Sequence, residues 1–148
     1  RGSGTYVINT NTYEEDPLGL SKTEDKYKMA LDLFEMRLMI EPELAALACK
    51  NASREELQKL KMLCDATEQL YRGGHNHIGK DIEFHTWIAR CSKNQVAETL
   101  IPAMNTADYT FASLTHRLLI EETLKTHRAV TEAMLKRDAV GARCAMMP

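Results

Sequence analysis

Residues 76–91 read NHIGKDIEFHTWIARC, and the chain is organised around the six residues at their centre, Lys80-Asp81-Ile82-Glu83-Phe84-His85. In a helix, the 3.6-residue period places several apolar residues of this stretch on one side, namely Ile78, Ile82, Ile88 and Ala89. Asp81 and His85 share that side and project together from adjacent turns. A carboxylate and an imidazole are costly to bury unless a positive or hydrogen-bonding group lies between them, so the pattern favours a divalent metal.

The composition is that of one globular domain. The 148 residues are enough for a substantial core, with 44% hydrophobic and 27% charged residues. The 19 basic and 21 acidic residues give a net charge of −2, which argues against direct binding of nucleic acid or a membrane surface by these residues alone. No apolar run approaches about 20 residues, so the sequence predicts no membrane-spanning helix, and no signal peptide is recognised.

The cysteines are widely spaced and form no CxxC pattern; they are Cys49, Cys64, Cys91 and Cys144. Each lies in a segment that is predicted to be helical. We therefore expect reduced core thiols in a cytoplasmic protein and not a disulfide framework.

The first 20 residues differ in character from the rest of the chain. Residues 1–8, RGSGTYVI, combine two glycines with four residues of high β propensity, which predicts a turn that leads into a short strand. Residues 9–20 contain the Asn, Asp, Pro and Gly residues that are typical of a linker. Residues 21–148 have a helical pattern throughout, and the last predicted helix ends in mid-pattern, as a truncated helix would.

The helical part divides at recognisable start and stop signals. Residues 29–49 carry two adjoining apolar stripes, and Pro42 predicts that this helix is bent or broken in two. Ser53-Arg54-Glu55-Glu56 is a capping box that begins a second helix, and Gly73-Gly74 ends that helix. Caps of two later helices are predicted at Asn94 and Asp138.

Two further polar residues face inward in the helical pattern. Arg37 lies in an apolar stripe. It pairs with Glu41 on its own helix, extends past its apolar neighbours to solvent, or is a buried cation that binds a carboxylate ligand, and the sequence leaves these interpretations open. His127 lies on the apolar side of a helix predicted over residues 118–136. Two imidazoles and one carboxylate suit Zn, Ni, Mn or Fe(II). Neither histidine has a glutamate three residues earlier, so the di-iron bundle pattern is absent.

Several motifs occur in an order that resembles a known family. They are Asp32-x-x-Glu35-x-Arg37-x-x-x-Glu41-Pro42, Asp81-x-x-Phe84-His85, Ser92-x-Asn94, His127-x-x-Val130 and Asp138-x-x-x-Ala142. With them, residues 21–148 resemble the C-terminal effector-binding domain, called FCD, of FadR-type transcription regulators in the GntR superfamily. Residues 1–8 resemble the end of the wing of the winged-helix DNA-binding domain that precedes FCD in this family. The rest of that domain would then lie outside the chain.

The resemblance implies an all-α antiparallel bundle of about six to seven helices that forms a homodimer and holds a metal in its centre. Asp81, His85 and His127 match three metal ligands of the family. The fourth is typically a histidine on the last helix, at a position that falls just past Pro148. Zinc is the first choice of metal, with nickel, manganese and iron as alternatives.

The resemblance also implies two effector-binding positions. Arg37 matches a position that faces the effector cavity, and Asn94 matches an asparagine of the family pattern whose role is effector binding or helix capping. A small carboxylate, such as a hydroxy acid, keto acid or sugar acid, would bind the metal and Arg37 and shift the helices that set the spacing of two DNA-reading heads on operator DNA.

Two other classes of function compete with this sensor hypothesis. A small metal-dependent enzyme would need a general base, and Glu83, which offers one, projects away from the side of Asp81 and His85. A purely structural helical module would use the histidines only to fill its core. We therefore expect a ligand sensor and not an enzyme.

Overall fold

The computed structural model describes residues 18–111 and 120–147. Within these ranges the chain forms a 3-10 turn at Leu20–Lys22 and six α-helices, and it has no β-strand. The helices are α1 (Lys26–Asn51), α2 (Arg54–Arg72), α3 (Ile78–Cys91), α4 (Gln95–Phe111), α5 (Ile120–Leu135) and α6 (Ala139–Met146). The predicted all-α bundle is confirmed. The strand predicted at residues 1–8 lies outside the described residues.

Local hydrogen bonds explain where the helices begin and end. The Ser53 hydroxyl accepts from the Glu56 amide at 3.1 Å, and the Glu56 carboxylate accepts from the Ser53 amide at 2.8 Å, so the predicted capping box is present. α2 ends at Arg72, and Gly74 adopts the left-handed conformation at φ 71°. The Asn94 side chain accepts from the Ala97 amide, and that of Asp138 from the Gly141 amide, as the caps predict.

Pro42 does not divide the first long helix. α1 runs without interruption from Lys26 to Asn51, with Pro42 buried inside it. A proline costs about 3 kcal/mol in a helix interior because its backbone donates no hydrogen bond. α1 packs against α3, α4, α5 and α6, and these tertiary contacts hold both halves of the helix in place. Of the two predicted effects of Pro42, a bend or a break, the structure excludes the break.

The core lies around α1. One cluster, which includes Leu60, Phe84, Val130 and Met134, joins α2, α3 and α5 to the small residues Ala45 and Ala48 of α1. A second cluster lies where α1, α3 and α4 meet. Alanines on α1 let the neighbouring helices approach closely, and the polar residues described below lie between these apolar clusters.

Burial corrects several details of the predicted apolar faces. Leu31, Phe34 and Leu47 were expected in the stripes of α1, yet each is at least 40% exposed. The cysteines are all free, but only Cys49, Cys64 and Cys91 are buried, so the prediction of a core thiol is wrong for Cys144. Among the described helices, none combines the length and the hydropathy that crossing a membrane requires.

Candidate metal centre

α3 presents its polar pair to the interior of the bundle. Asp81 is 4% exposed and His85 is 6% exposed, so the inward orientation that the sequence predicts is confirmed. Phe84 and Ile88 are buried beside them, which gives the spacing of three and four residues expected for one helix face. Ile78, predicted on this face, is exposed because it lies in the first turn of α3, at the end of the bundle.

α5 brings His127 to the same place. His127 is 2% exposed, and its ring lies 4.3 Å from the ring of Phe84, centroid to centroid. Its Nε2 atom is 3.1 Å from His85 Nε2 and 2.9 Å from Asp81 Oδ1, and His85 Nε2 is 3.9 Å from the same oxygen. The structure therefore brings together all three residues that were predicted as metal ligands.

These distances fit the donor set of a metal ion. A tetrahedral ion with ligands at about 2.1 Å separates neighbouring donors by about 3.4 Å, and the three observed separations bracket that value. Two imidazole nitrogens and a carboxylate oxygen that converge in a buried space also suit zinc chemically. Without a cation or a proton among them, their lone pairs would repel one another.

Glu41 of α1 lies behind His85, a contact that the sequence analysis did not predict. Its Oε1 is 3.3 Å from His85 Nδ1, and it is 7% exposed. A carboxylate on Nδ1 orients the ring so that Nε2 faces the candidate metal position and raises the basicity of that nitrogen. The available signal was the inward position of Glu41, one turn after Arg37 and in register with buried Leu44.

The pKa values of the buried acids reflect their basic neighbours. Burial alone would raise the pKa of Glu41, but the charges of His85 and Arg37 outweigh burial and hold it at about 2. The pKa of Asp81 is likewise about 2, because the hydrogen bond from His127 and the charge of His85 outweigh burial. Both carboxylates are therefore ionised at neutral pH.

The two histidines titrate in opposite directions. Burial opposes the charged form of His85, but Glu41 outweighs it and raises the pKa of His85 above its ordinary value. Burial lowers the pKa of His127, and its hydrogen bond with Asp81 only partly offsets this effect. In the absence of metal, these opposite shifts favour the charged form of His85 over that of His127.

The two predicted effector-binding residues lie in different surroundings. The Arg37 side chain is 17% exposed, and its Nε and Nη2 are each 3.3 Å from Glu41 Oε2, so the predicted pair with Glu41 is observed. Arg37 is also close enough for its charge to help lower the pKa of Asp81. Asn94 is exposed at the start of α4, where its side chain caps the helix. Effector binding by either residue stays a prediction.

The free space beside the cluster is small. A narrow space lined in part by Glu41, His85, Ile101 and Met146 adjoins the charged residues, and it is too small to admit a water molecule. A larger cavity of about 730 Å³ lies elsewhere, along the Pro102 and Thr106 side of α4. Its lining residues include none of the candidate ligands, so we assign the site by its chemistry and not by cavity size.

Comparison with known proteins identifies the family. Residues 32–147 match the FCD domain. The chain is 29% identical to the uncharacterised HTH-type transcriptional regulator YcbG of Bacillus subtilis over 142 residues, which cover 90% of this chain and 58% of YcbG. It is 26% identical to the Uxu operon transcriptional regulator of Escherichia coli over 99% of this chain and 60% of that protein. The chain thus spans somewhat more than half the length of these relatives.

A solved structure agrees with the sequence matches. A GntR protein of Streptococcus agalactiae superimposes with a TM-score of 0.80 and 33% identity, over 99% of this chain and 67% of that one. The relatives are transcription regulators, so the prediction that the chain is not an enzyme is confirmed. Because the family match covers most of the chain and the fold agrees, the chain belongs to the FCD domain family of GntR-type proteins.

Proposed function

We propose that this chain is the effector-binding domain of a GntR-type transcription regulator, which binds a divalent metal through Asp81, His85 and His127 and a small carboxylate beside it. The observation that carries the proposal is the convergence of three buried donors from two helices at metal-like separations. Zinc is the metal that this donor set suits first, and nickel, manganese and iron are the alternatives. A fourth protein ligand at a position past Pro148 stays a prediction.

The charges of the cluster support a carboxylate effector. Among the described residues of the cluster, the carboxylates of Glu41 and Asp81 are ionised and the guanidinium of Arg37 is positive. With neutral imidazoles, a divalent cation and Arg37 together exceed the two carboxylates by one positive charge. A buried site with one excess positive charge favours a monoanion, and a carboxylate can bind both a cationic metal and the Arg37 guanidinium.

The residues of the chain have distinct parts in this mechanism. Glu41 holds His85 by Nδ1, so that Nε2 faces inward, and Glu41 also holds Arg37 in place. When bound, the metal supplies a Lewis-acidic position for a carboxylate oxygen. An acid that binds both Arg37 and the metal joins α1 to α3 and α5, so its binding favours one arrangement of these helices over another.

The relatives support a proposal for the function of the whole protein. Those relatives are regulators of transcription, one of an HTH type and one of the Uxu operon. We extend to this protein a winged-helix domain before the bundle, a homodimer, operator DNA as the partner and a location in the cytoplasm. A change in helix arrangement would then alter the spacing of two DNA-reading heads.

Metal analysis of the chain, extended several residues past Pro148 and purified without chelators or nickel resin, tests the proposal. We expect about one transition metal ion per chain, as three or four protein ligands would hold. The double variant Asp81→Ala/His85→Ala should lose it. The matched control Asp65→Ala/His75→Ala, which removes a carboxylate and an imidazole from the surface, should retain it. Absence of metal from the unsubstituted chain, after incubation with zinc, would refute the proposal.

The second half of the experiment concerns the effector. Lactate, pyruvate and gluconate represent the hydroxy, keto and sugar acids, and a thermal-shift assay with and without zinc detects binding to the folded state. We expect a rise in Tm that requires both zinc and Arg37, and the variant Arg37→Met should abolish the rise while retaining the metal. A rise that persists in Arg37→Met would show that the acid binds elsewhere.

A further inference from the structure

Asn105 on α4 is a buried polar residue that the proposed mechanism does not yet use. It is 1% exposed, and neither its amide nitrogen nor its carbonyl oxygen has a hydrogen-bond partner in the described part of the chain. The side chain of asparagine has two N–H donors and one acceptor, and burying them unpaired is unfavourable. Such a residue in a core calls for a function that repays this loss.

The packing of α4 on α1 shows at what height along the bundle Asn105 lies, which is called its level below. Near its start, α4 contributes Ala97 and Ile101 to a cluster with Leu44, which lies late in α1. Near its end, α4 packs Ala107 against Ala30 and Leu33, which lie early in α1. The two helices are therefore antiparallel, and position 105 falls at the level between Leu33 and Leu44. That is the part of α1 that carries Arg37.

The packing of α4 on α3 gives the same level from the other side. A short turn joins α3 to α4, and Ala89 of α3 packs in the cluster of Ala97. The two helices run in opposite directions. A position eight residues before Ala89 on α3 and a position eight residues after Ala97 on α4 therefore lie at the same height along the bundle. Those positions are Asp81 and Asn105.

Asn105 also lies on the appropriate side of α4. It follows Ile101 by four residues and shares its face, and Ile101 lines the narrow space beside Glu41 and His85. Three helices thus place a guanidinium, a carboxylate and an unpaired amide at one buried level. Of the three, only Asn105 has neither a hydrogen bond nor an ion pair from its side chain to any described residue.

We propose that Asn105 binds a hydroxyl group on the effector and makes the site selective for hydroxy acids over the corresponding alkyl acids. This inference rests on the proposed function, in which Arg37 and the metal hold the carboxylate. A hydroxyl both donates and accepts a hydrogen bond, so it can satisfy the carbonyl and the amide hydrogens of Asn105. An alkyl acid would leave the amide unpaired, and a site with an unpaired buried group discriminates strongly against such a ligand.

Calorimetric titration of the zinc-loaded chain with matched pairs of acids tests this inference. One pair is lactate and propionate, and the other is gluconate and hexanoate. In each pair the first acid carries hydroxyl groups that the second lacks. We expect each hydroxy acid to bind at least about tenfold more tightly than its partner. Asn105→Leu should reduce the ratio to about one by weakening hydroxy acids alone. Asn94→Ser, which removes the other candidate amide but keeps a good helix cap, should preserve the ratio.

The stability of the chain without ligand gives a second reading. If Asn105 is kept for a ligand, Asn105→Leu removes an unpaired buried amide and should raise Tm by about 3 °C. A fall in Tm would show that the amide has a structural role, and would overturn the inference. A hydroxy-acid preference that survives in Asn105→Leu would overturn it as well.

The failure of this inference can be told from that of the proposed function. If the zinc-loaded chain binds alkyl and hydroxy acids equally well, Asn105 selects nothing, while the carboxylate sensor stands. If no acid binds and the metal does, the carboxylate part of the proposed function falls and the inference falls with it. Equal binding by the unsubstituted chain is decisive even if Asn105→Leu does not fold.

Discussion

His127 and Arg128 are neighbours on α5, yet they belong to two charged clusters that differ in almost every physical respect. His127 turns inward to Asp81 and His85 and is 2% exposed. Arg128 turns outward and donates to Asp65 and Glu68 of α2, and its side chain is 35% exposed. Because the two residues are neighbours on one helix, the comparison sets a buried cluster beside an exposed one.

The outer cluster has short contacts, but they are worth little. Arg128 Nη1 lies 2.8 Å from Asp65 Oδ1, shorter than the 3.3 Å between Arg37 and Glu41 inside. Water screens the outer charges and solvates each of them when the pair breaks, so exposed pairs contribute about 0–1 kcal/mol. Inside, each charge depends on its partner for solvation. Distance is therefore a poor guide to importance in this protein, and burial a better one.

The largest expected effect breaks the inner cluster. Glu41→Leu leaves Arg37 and His85 without their carboxylate, and we expect the free energy of unfolding to fall by about 3–5 kcal/mol, measured by urea denaturation without metal. Glu68→Leu in the outer cluster is the matched control and should cost less than about 1 kcal/mol. Equal losses in the two variants would mean that burial does not distinguish the clusters.

A milder substitution tests whether the charge of Glu41 contributes to metal binding. Glu41→Gln keeps the shape of the side chain but removes the charge behind His85 Nδ1. We expect zinc affinity, measured by competition with a chelating dye, to fall by about 10–100-fold, as for other carboxylates that contact the second ring nitrogen of a metal-binding histidine. Asp65→Asn on the surface should leave the affinity unchanged. An unchanged affinity in Glu41→Gln would exclude Glu41 from the metal site.

The pH dependence of stability separates the two histidines of the inner cluster. Folding lowers the pKa of His127, so below about pH 6.5 the unfolded chain binds more protons than the folded chain. The free energy of unfolding therefore rises with pH up to that value. Folding raises the pKa of His85, so above about pH 6.5 the folded chain binds more protons than the unfolded chain. The free energy of unfolding therefore falls as pH rises through the pKa of His85 in the folded chain. Without metal, Tm should therefore be highest near pH 6.5.

Zinc and a His85 variant provide the controls for that profile. Zinc competes with the His85 proton, so its affinity rises with pH, and the zinc-loaded chain should lose the decline above about pH 6.5. His85→Gln should lose the same decline without metal. If Tm declines equally above about pH 6.5 in His85→Gln, the decline arises from another titrating group.

The smallest expected effect is in the outer cluster. Arg128→Ala removes both of its cross-helix contacts to α2, and we expect a loss of less than about 1 kcal/mol that shrinks further in 0.5 M salt. Urea denaturation at low and high salt measures it. A loss that is large and independent of salt would place Arg128 in the class of the inner cluster.

Features that depend only on nearby residues could be predicted from the amino-acid sequence. The all-α class, the capping box at Ser53 and the inward direction of Asp81, His85 and His127 follow from hydrogen bonds and side-chain periods that span three or four residues. Such rules apply within a single helix, whatever it packs against. For the same reason, Arg37 and Glu41 could be recognised as a pair, and Asn94 as a cap.

Which helix faces pack together, and which residues of neighbouring helices lie beside one another, could be seen only in the tertiary structure. The contact of Glu41 with His85 joins α1 to α3, and the unpaired state of Asn105 depends on what α1 and α3 place opposite it. Local pattern left open whether Pro42 bends or breaks its helix, and the helix stays continuous because the packing of four helices against α1 outweighs the cost of a proline in its interior. Periodicity gives the direction of a side chain from its own axis, whereas its partners depend on the relative positions of helices that are distant in the chain.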